Sequence, residues 1–172
     1  MFLAIVLTAA VYDVRYRRIP NWLTVSGVVI GFALNSFLYR GWPGFLFSLK
    51  GFALGFGLYF LLYALHAMGA GDVKLMAAVG ALVGWEDWFG IFLATAILGG
   101  ILAGLVMIFR KRVKKTVWNL GYILGEMKRG RAAYVTREEV DVKSPKSVGM
   151  PHGAVIAISS LFFFALAAHF VK

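Results

Sequence analysis

Apolar runs of bilayer-crossing length dominate this sequence, and they leave it few ways to fold. A helix needs about 20 residues to cross the hydrocarbon core, and within lipid its backbone N–H and C=O groups must be satisfied internally. Residues 2–12, 22–39, 44–65, 73–84, 88–109 and 153–171 form six apolar blocks, the first and fourth shorter than a full crossing. Helical continuation through Asp13 towards Tyr16 completes the first. The fourth, carrying Ala77, Ala78, Gly80 and Ala81, suits a helix enclosed by its neighbours. Hydrophobic residues fill 60% of the 172 positions and charged ones 15%, too few charges to cover a soluble domain of this size. The expected fold is therefore an all-α integral membrane protein, a bundle of about six transmembrane helices making one domain over residues 1–172.

The charges that remain lie in the gaps. Arg15, Arg17 and Arg18, then Lys74, then eleven Lys and Arg in the stretch 110–151 fall on one side of the bundle, 15 of the 18 basic residues. The opposite side carries Arg40, Lys172, Lys50 just inside the third block and able to snorkel to that surface, and the acidic turn Trp85-Glu86-Asp87-Trp88. By the positive-inside rule the basic side is cytoplasmic and both termini face outward, which fits multi-pass insertion in the plasma (inner) membrane. The net charge of +10 thus reads as topology-setting charge beside anionic lipid headgroups rather than as a nucleic-acid surface. Within the 110–151 cytoplasmic loop, Val113, Val117, Leu120, Leu124 and Met127 recur at helical spacing among basic residues, the pattern of a helix lying in the membrane interface. Residues 1–11 lack a basic n-region and a small-residue cleavage site, so a retained first span is expected rather than a signal peptide. The chain has no cysteine, which removes disulfides, thiol nucleophiles and zinc ribbons.

Of eight acidic residues, six sit in polar gaps. Asp13 and Asp72 instead lie at the cytoplasmic ends of apolar spans, where an ionisable group is costly enough to suggest function. Two crossings separate them, so both reach the same membrane face. Two carboxylates held together cannot both ionise cheaply, and the pair keeps one proton. Such a pair can bind water, deprotonate it for attack on a peptide carbonyl, and donate a proton to the carbonyl oxygen, with no cofactor or metal. Structural roles compete with that chemistry: Asp72 can cap the helix starting at Val73, and Asp13 can pair with Arg15 or Arg17. Gly69 and Gly71, just before Asp72, allow either a special backbone turn or the close approach of an extended substrate chain. Lys74 could orient Asp72 or meet a lipid headgroup.

Asp13-Val14-Arg15, Arg18-Ile19-Pro20-Asn21 and Gly69-Ala70-Gly71-Asp72-Val73-Lys74-Leu75 together resemble the type IV prepilin peptidase family. Its Gly-x-Gly-Asp motif is shared more distantly with presenilin and signal peptide peptidase. The resemblance covers essentially the whole chain and implies an aspartyl endopeptidase with Asp13 and Asp72 as its catalytic pair and Gly69, Gly71 and Lys74 in the adjoining loop. It implies a prepilin-like substrate, cut at the cytoplasmic face between a short basic leader and an apolar helix. Larger bacterial members carry an additional N-terminal region with paired cysteines and methylate the new N-terminus; no methyltransferase activity is expected of this cysteine-free chain. The short form, with Met150-Pro151-His152-Gly153-Ala154 entering the last span, looks like the peptidases of tight-adherence pilus systems, with archaeal preflagellin peptidases a near alternative.

Two further readings were weighed on the residues. His66 and His152 could join the aspartates around a metal, but no close ligand pair such as H-x-x-x-H is present, and no metal is expected. A transport or assembly-scaffold subunit would use the two acids as ion-relay or structural groups, yet both lie at one end of spans that hold only scattered Thr, Ser and Asn. Trp22, Trp42, Trp85 and Trp88 read as interfacial anchors.

Overall fold

The computed structural model describes residues 2–39, 41–65, 68–109, 118 and 151–170. These form five helices: α1 (Phe2–Tyr16), α2 (Asn21–Leu38), α3 (Trp42–Ala64), α4 (Ala70–Phe109) and α5 (His152–Phe170). The chain is an all-helical, multi-pass membrane protein. By length and apolarity α2, α3, α4 and α5 are each able to cross a bilayer. The 15-residue α1 falls below that length, and the fourth and fifth apolar blocks both lie within the 40-residue α4. His66 and nearly all of the expected basic loop and interfacial helix lie outside the described residues.

Helix boundaries follow local sequence. Pro20 occupies the N-cap of α2 with φ −63° and ψ 137°, a conformation its ring favours and α1 could not continue through. Pro43 sits in the first turn of α3, where its missing N–H has no intrahelical partner to lose.

A straight 40-residue helix would measure roughly 60 Å, about twice the hydrocarbon thickness. α4 avoids this by breaking at Gly84, with φ 80° and ψ −179°. The indole Nε1 of Trp88 donates to the carbonyl of Met76 at 3.0 Å, a contact twelve residues back that requires the chain to double on itself at the break. Residues 70–83 and 85–109 are thus two antiparallel arms. The reversal occurs at Gly84 rather than across residues 85–88, which are helical. Trp88 therefore corrects the interfacial expectation. It is fully buried, stacked on Phe92 at 5.5 Å, and used to join the two arms. Trp22, Trp42 and Trp85 are exposed.

Small residues carry the helix contacts. On α3, Gly44, Ser48, Gly51, Gly55 and Tyr59 make one buried face at helical spacing. Gly51 meets Gly80 so closely that a Cβ on either would overlap the other's carbonyl. Large apolar side chains such as Val25, Phe37, Phe60, Leu61, Ile97 and Ile108 point outward instead. That inverts the soluble pattern, as lipid requires: burial from lipid gains little, and backbones gain by approaching closely.

The arms and helices alternate in direction. Phe2 meets Phe164 at 5.2 Å while Asp13 meets Gly153, which sets α1 antiparallel to α5. Gly27 faces Ala78 and Gly31 faces Ala81, so α2 runs parallel to the 70–83 arm. One end of the bundle therefore gathers the end of α1 and the starts of α2, α4 and α5. The other end holds Gly84.

At that far end Asn35 donates from Nδ2 to Ser48 Oγ (2.9 Å) and to the carbonyls of Ala81 (3.0 Å) and Leu82 (3.2 Å). Ser48 in turn donates to the Gly31 carbonyl at 3.1 Å. The break at Gly84 leaves carbonyls at the end of the first arm needing donors, and a buried Asn on α2 supplies them. Asn35→Leu keeps the bulk and strips the donors. It is expected to lower stability by at least about 2 kcal/mol, measured as unfolding of the reconstituted protein in denaturing detergent. Unchanged unfolding would show that those carbonyls are satisfied otherwise.

Candidate active site

Asp13 lies in the last turn of α1 and is only 8% exposed. Its Oδ2 accepts from the Gly153 N–H at 2.7 Å. The N–H groups opening a helix lack intrahelical acceptors, so a carboxylate from α1 completes the start of α5. The approach is tight. A Cβ on Gly153 would lie 3.0 Å from both Asp13 Cβ and Oδ2, closer than a side chain tolerates. Gly153 is thus a contact of the candidate site that sequence reasoning did not single out, although Pro151-His152-Gly153 at the head of a span carried the signal.

Asp72 sits half-buried in the first turn of α4. Its carboxylate reaches back rather than forward: Oδ2 accepts from the Gly69 N–H at 3.3 Å, three residues earlier. Gly69 occupies the cap position, its carbonyl accepting from Asp72 at 3.2 Å and Val73 at 3.5 Å. This is the back-reaching half of a capping box. The capping role weighed for Asp72 is therefore present in altered form.

The glycines before it serve no special backbone geometry. Among the described glycines positive φ occurs at Gly41 and Gly84, not at Gly69 or Gly71. A Cβ on Gly71 would touch Ile19 at ordinary distances of 3.5–3.6 Å, and one on Gly69 would lie 3.4 Å from Asp72 Oδ2. What glycine leaves there is a low wall beside the carboxylate. Lys74 donates from Nζ to Asn21 Oδ1 at 2.9 Å, tying the start of α4 to the start of α2.

The two carboxylates come together. Both line one cavity of about 460 Å³, whose remaining wall is the 17–21 segment, residues 69–71 and Lys74. Every residue of the proposed site, Asp13, Gly69, Gly71, Asp72 and Lys74, lies on it. Asp13 and His152 are also within Coulomb reach of the Asp72 carboxylate. Among the described residues no group of three or more His, Cys, Asp or Glu side chains is arranged to hold a metal ion.

Residues 1–104 match the type IV leader peptidase family, a stretch containing both aspartates and the glycine motif. The chain belongs to that family. Membership covers α1, α2, α3 and most of α4, and ends before Gly153. The prepilin leader peptidase/N-methyltransferase of Escherichia coli is 30% identical over 142 residues, 72% of this chain and 62% of that protein. The protein of the same description from Myxococcus xanthus is 27% identical over 115 residues, 63% of this chain and 34% of its own length. The preflagellin peptidase of Methanocaldococcus jannaschii is 35% identical over 80 residues, 45% of this chain and 34% of that protein. The chain thus spans between 34% and 62% of the length of these three relatives. No solved structure matches it significantly.

Proposed function

We propose that this member of the type IV leader peptidase family is a membrane-embedded aspartyl endopeptidase that removes the leader of prepilin-like precursors. Asp13 and Asp72 are its catalytic pair. The observation that carries the proposal is the shared cavity: two acids from helices remote in sequence, one nearly enclosed and one half-buried, line a single space at one end of the bundle. Family membership and relatives described as prepilin leader and preflagellin peptidases give the reaction class.

The chemistry follows from one shared proton. The charged carboxylate takes a proton from a water held between the pair, and that oxygen attacks the scissile carbonyl. The protonated carboxyl donates to the carbonyl oxygen, and collapse of the adduct returns a proton to the departing amine. The protons belong to the pair, so base and acid are not fixed to individual residues. Gly69 and Gly71 keep the wall low where an extended chain would pass, and Lys74 holds the motif against α2 through Asn21.

The basic gaps place this end of the bundle at the cytoplasmic face of the plasma membrane, with α1 beginning on the outer side. The 110–151 segment meets anionic headgroups there. The proposal includes no cofactor, no nucleic-acid partner and no methyl transfer; labelled methyl appearing on the new N-terminus would overturn the last of these.

The test is incubation of membranes containing this protein with a precursor carrying a short basic leader and an apolar helix, the product mapped by mass spectrometry. A single cut before the apolar helix is expected. Cuts scattered along the polar part, or none across a panel of such precursors, would overturn the proposal.

A further inference from the structure

A second cavity, of about 340 Å³, differs in kind from the one that holds the aspartates. Arginine, lysine and asparagine line the first cavity beside the aspartates. The second is walled by Tyr59 and Leu62 of α3, Gly99 and Ala103 of the 85–109 arm, and His152 and Val155 of α5. Thr95 also borders it, but its hydroxyl is turned into its own helix, donating to the Ile91 carbonyl at 2.7 Å. The space is apolar and of a volume that takes organic side chains, in the range of roughly 300–1,000 Å³ common to ligand pockets.

Two of its wall residues tie it to the candidate active site. His152 lies within Coulomb reach of Asp72, and so does Tyr59. His152 also stands next to Gly153, whose N–H holds Asp13. The aspartates lie on the polar cavity, and the apolar one is walled by Met68 and His152, the chain neighbours of Gly69 and Gly153, whose N–H groups donate to the two carboxylates. A peptide lying across them, polar before the cut and apolar after it, matches that order.

We propose that the 340 Å³ cavity is the subsite for the first apolar side chain on the C-terminal side of the scissile bond, and that Gly99 and Ala103, one helical turn apart, set the size it accepts. This rests on the peptidase function proposed above. Gly99 is suited to the role because its missing side chain is not needed for packing. A Cβ there would meet Val155 Cγ1 at 3.6 Å, an ordinary contact, so a side chain can start from this position without a backbone clash.

The test compares two precursors, identical except for Leu or Ala as the first residue after the cut, incubated together with wild-type or Gly99→Leu membranes. Wild type is expected to prefer the Leu precursor. Gly99→Leu should lower kcat/KM for the Leu precursor by about 10- to 100-fold, the range set by a pocket altered by a methylene or more, and leave the Ala precursor nearly unchanged. Leu62→Ala, which enlarges the opposite wall, should shift preference towards a precursor with Trp at that position. If Gly99→Leu does not accumulate as folded protein, Ala103→Leu narrows the same cavity from the next turn and is read in the same way. An unchanged Leu-to-Ala ratio in the folded narrowing variant overturns the subsite and leaves the cavity to a lipid chain. Equal loss of both precursors overturns it as well, because a filled subsite must discriminate by size. Neither result touches the peptidase function, which fails separately if wild type cuts neither precursor.

Discussion

Asp13→Asn and Asp72→Asn are each expected to lose at least about 100-fold in cleavage rate, the lower bound for removing a general acid–base group, while folding as wild type does. The separation of the two effects comes from geometry. Asp13 accepts one N–H bond, from Gly153 at 2.7 Å, and Asp72 one from Gly69 at 3.3 Å. An asparagine oxygen accepts either bond, so both helix starts stay satisfied. What disappears is the titrating proton that the pair must pass. Asp13→Ala is the contrasting variant: it strands the Gly153 N–H at a buried helix start and should reduce stability by about 1–3 kcal/mol as well as activity. Rates of the two Asn variants, measured on a pilin-like precursor alongside unfolding in denaturing detergent, check this. Near-wild-type cutting by either variant would make that aspartate a helix-capping residue only, and the proposed chemistry would be wrong.

Gly84→Ala is expected to be strongly destabilising. Two costs add. The backbone at Gly84, with φ 80° and ψ −179°, lies in a region other residues occupy only at about 1–3 kcal/mol. A Cβ there would also overlap the ring of Phe47, and forcing extra volume into a packed site costs about 1–3 kcal/mol more. Together they predict a loss of roughly 2–6 kcal/mol, read from detergent-induced unfolding or from protease sensitivity in membranes. Adding Phe47→Ala should recover the overlap part and leave the backbone part. Unfolding of Gly84→Ala at the wild-type midpoint would mean that the two arms of α4 are not held apart by this residue.

Much of the fold was legible in the sequence because its causes are local. Apolar runs, Pro20 and Pro43 mark helices and their starts through residue chemistry alone. The meeting of Asp13 and Asp72 at one end was also legible, since crossing number fixes which end each residue reaches. Trp88 was not. Its neighbours Glu86 and Asp87 give the look of a surface turn, and only the doubling of the chain at Gly84 brings the Met76 carbonyl within its reach. Asn35 read as one scattered polar residue, because the carbonyls it serves are created by that same break. Gly69 and Gly71 suggested a special backbone, whereas their φ values are ordinary and their effect is to leave space. Gly153 was overlooked for a related reason. Its partner is 140 residues away, and the local pattern Pro151-His152-Gly153 marks a helix start without naming the acceptor that meets it.

That separation bears on how the protein is made. The carboxylate of Asp13 belongs to α1, and its N–H partner opens α5, 140 residues later in the chain. Until α5 is made, α1 must therefore rest with this acid unmatched by its N–H partner. The bond that fixes it forms only once α5 has been inserted. If the pair is catalytic, a nascent or truncated chain carries both acids yet leaves one of them loosely held. Proteolytic competence then arrives with α5, which makes insertion of that helix the activating event.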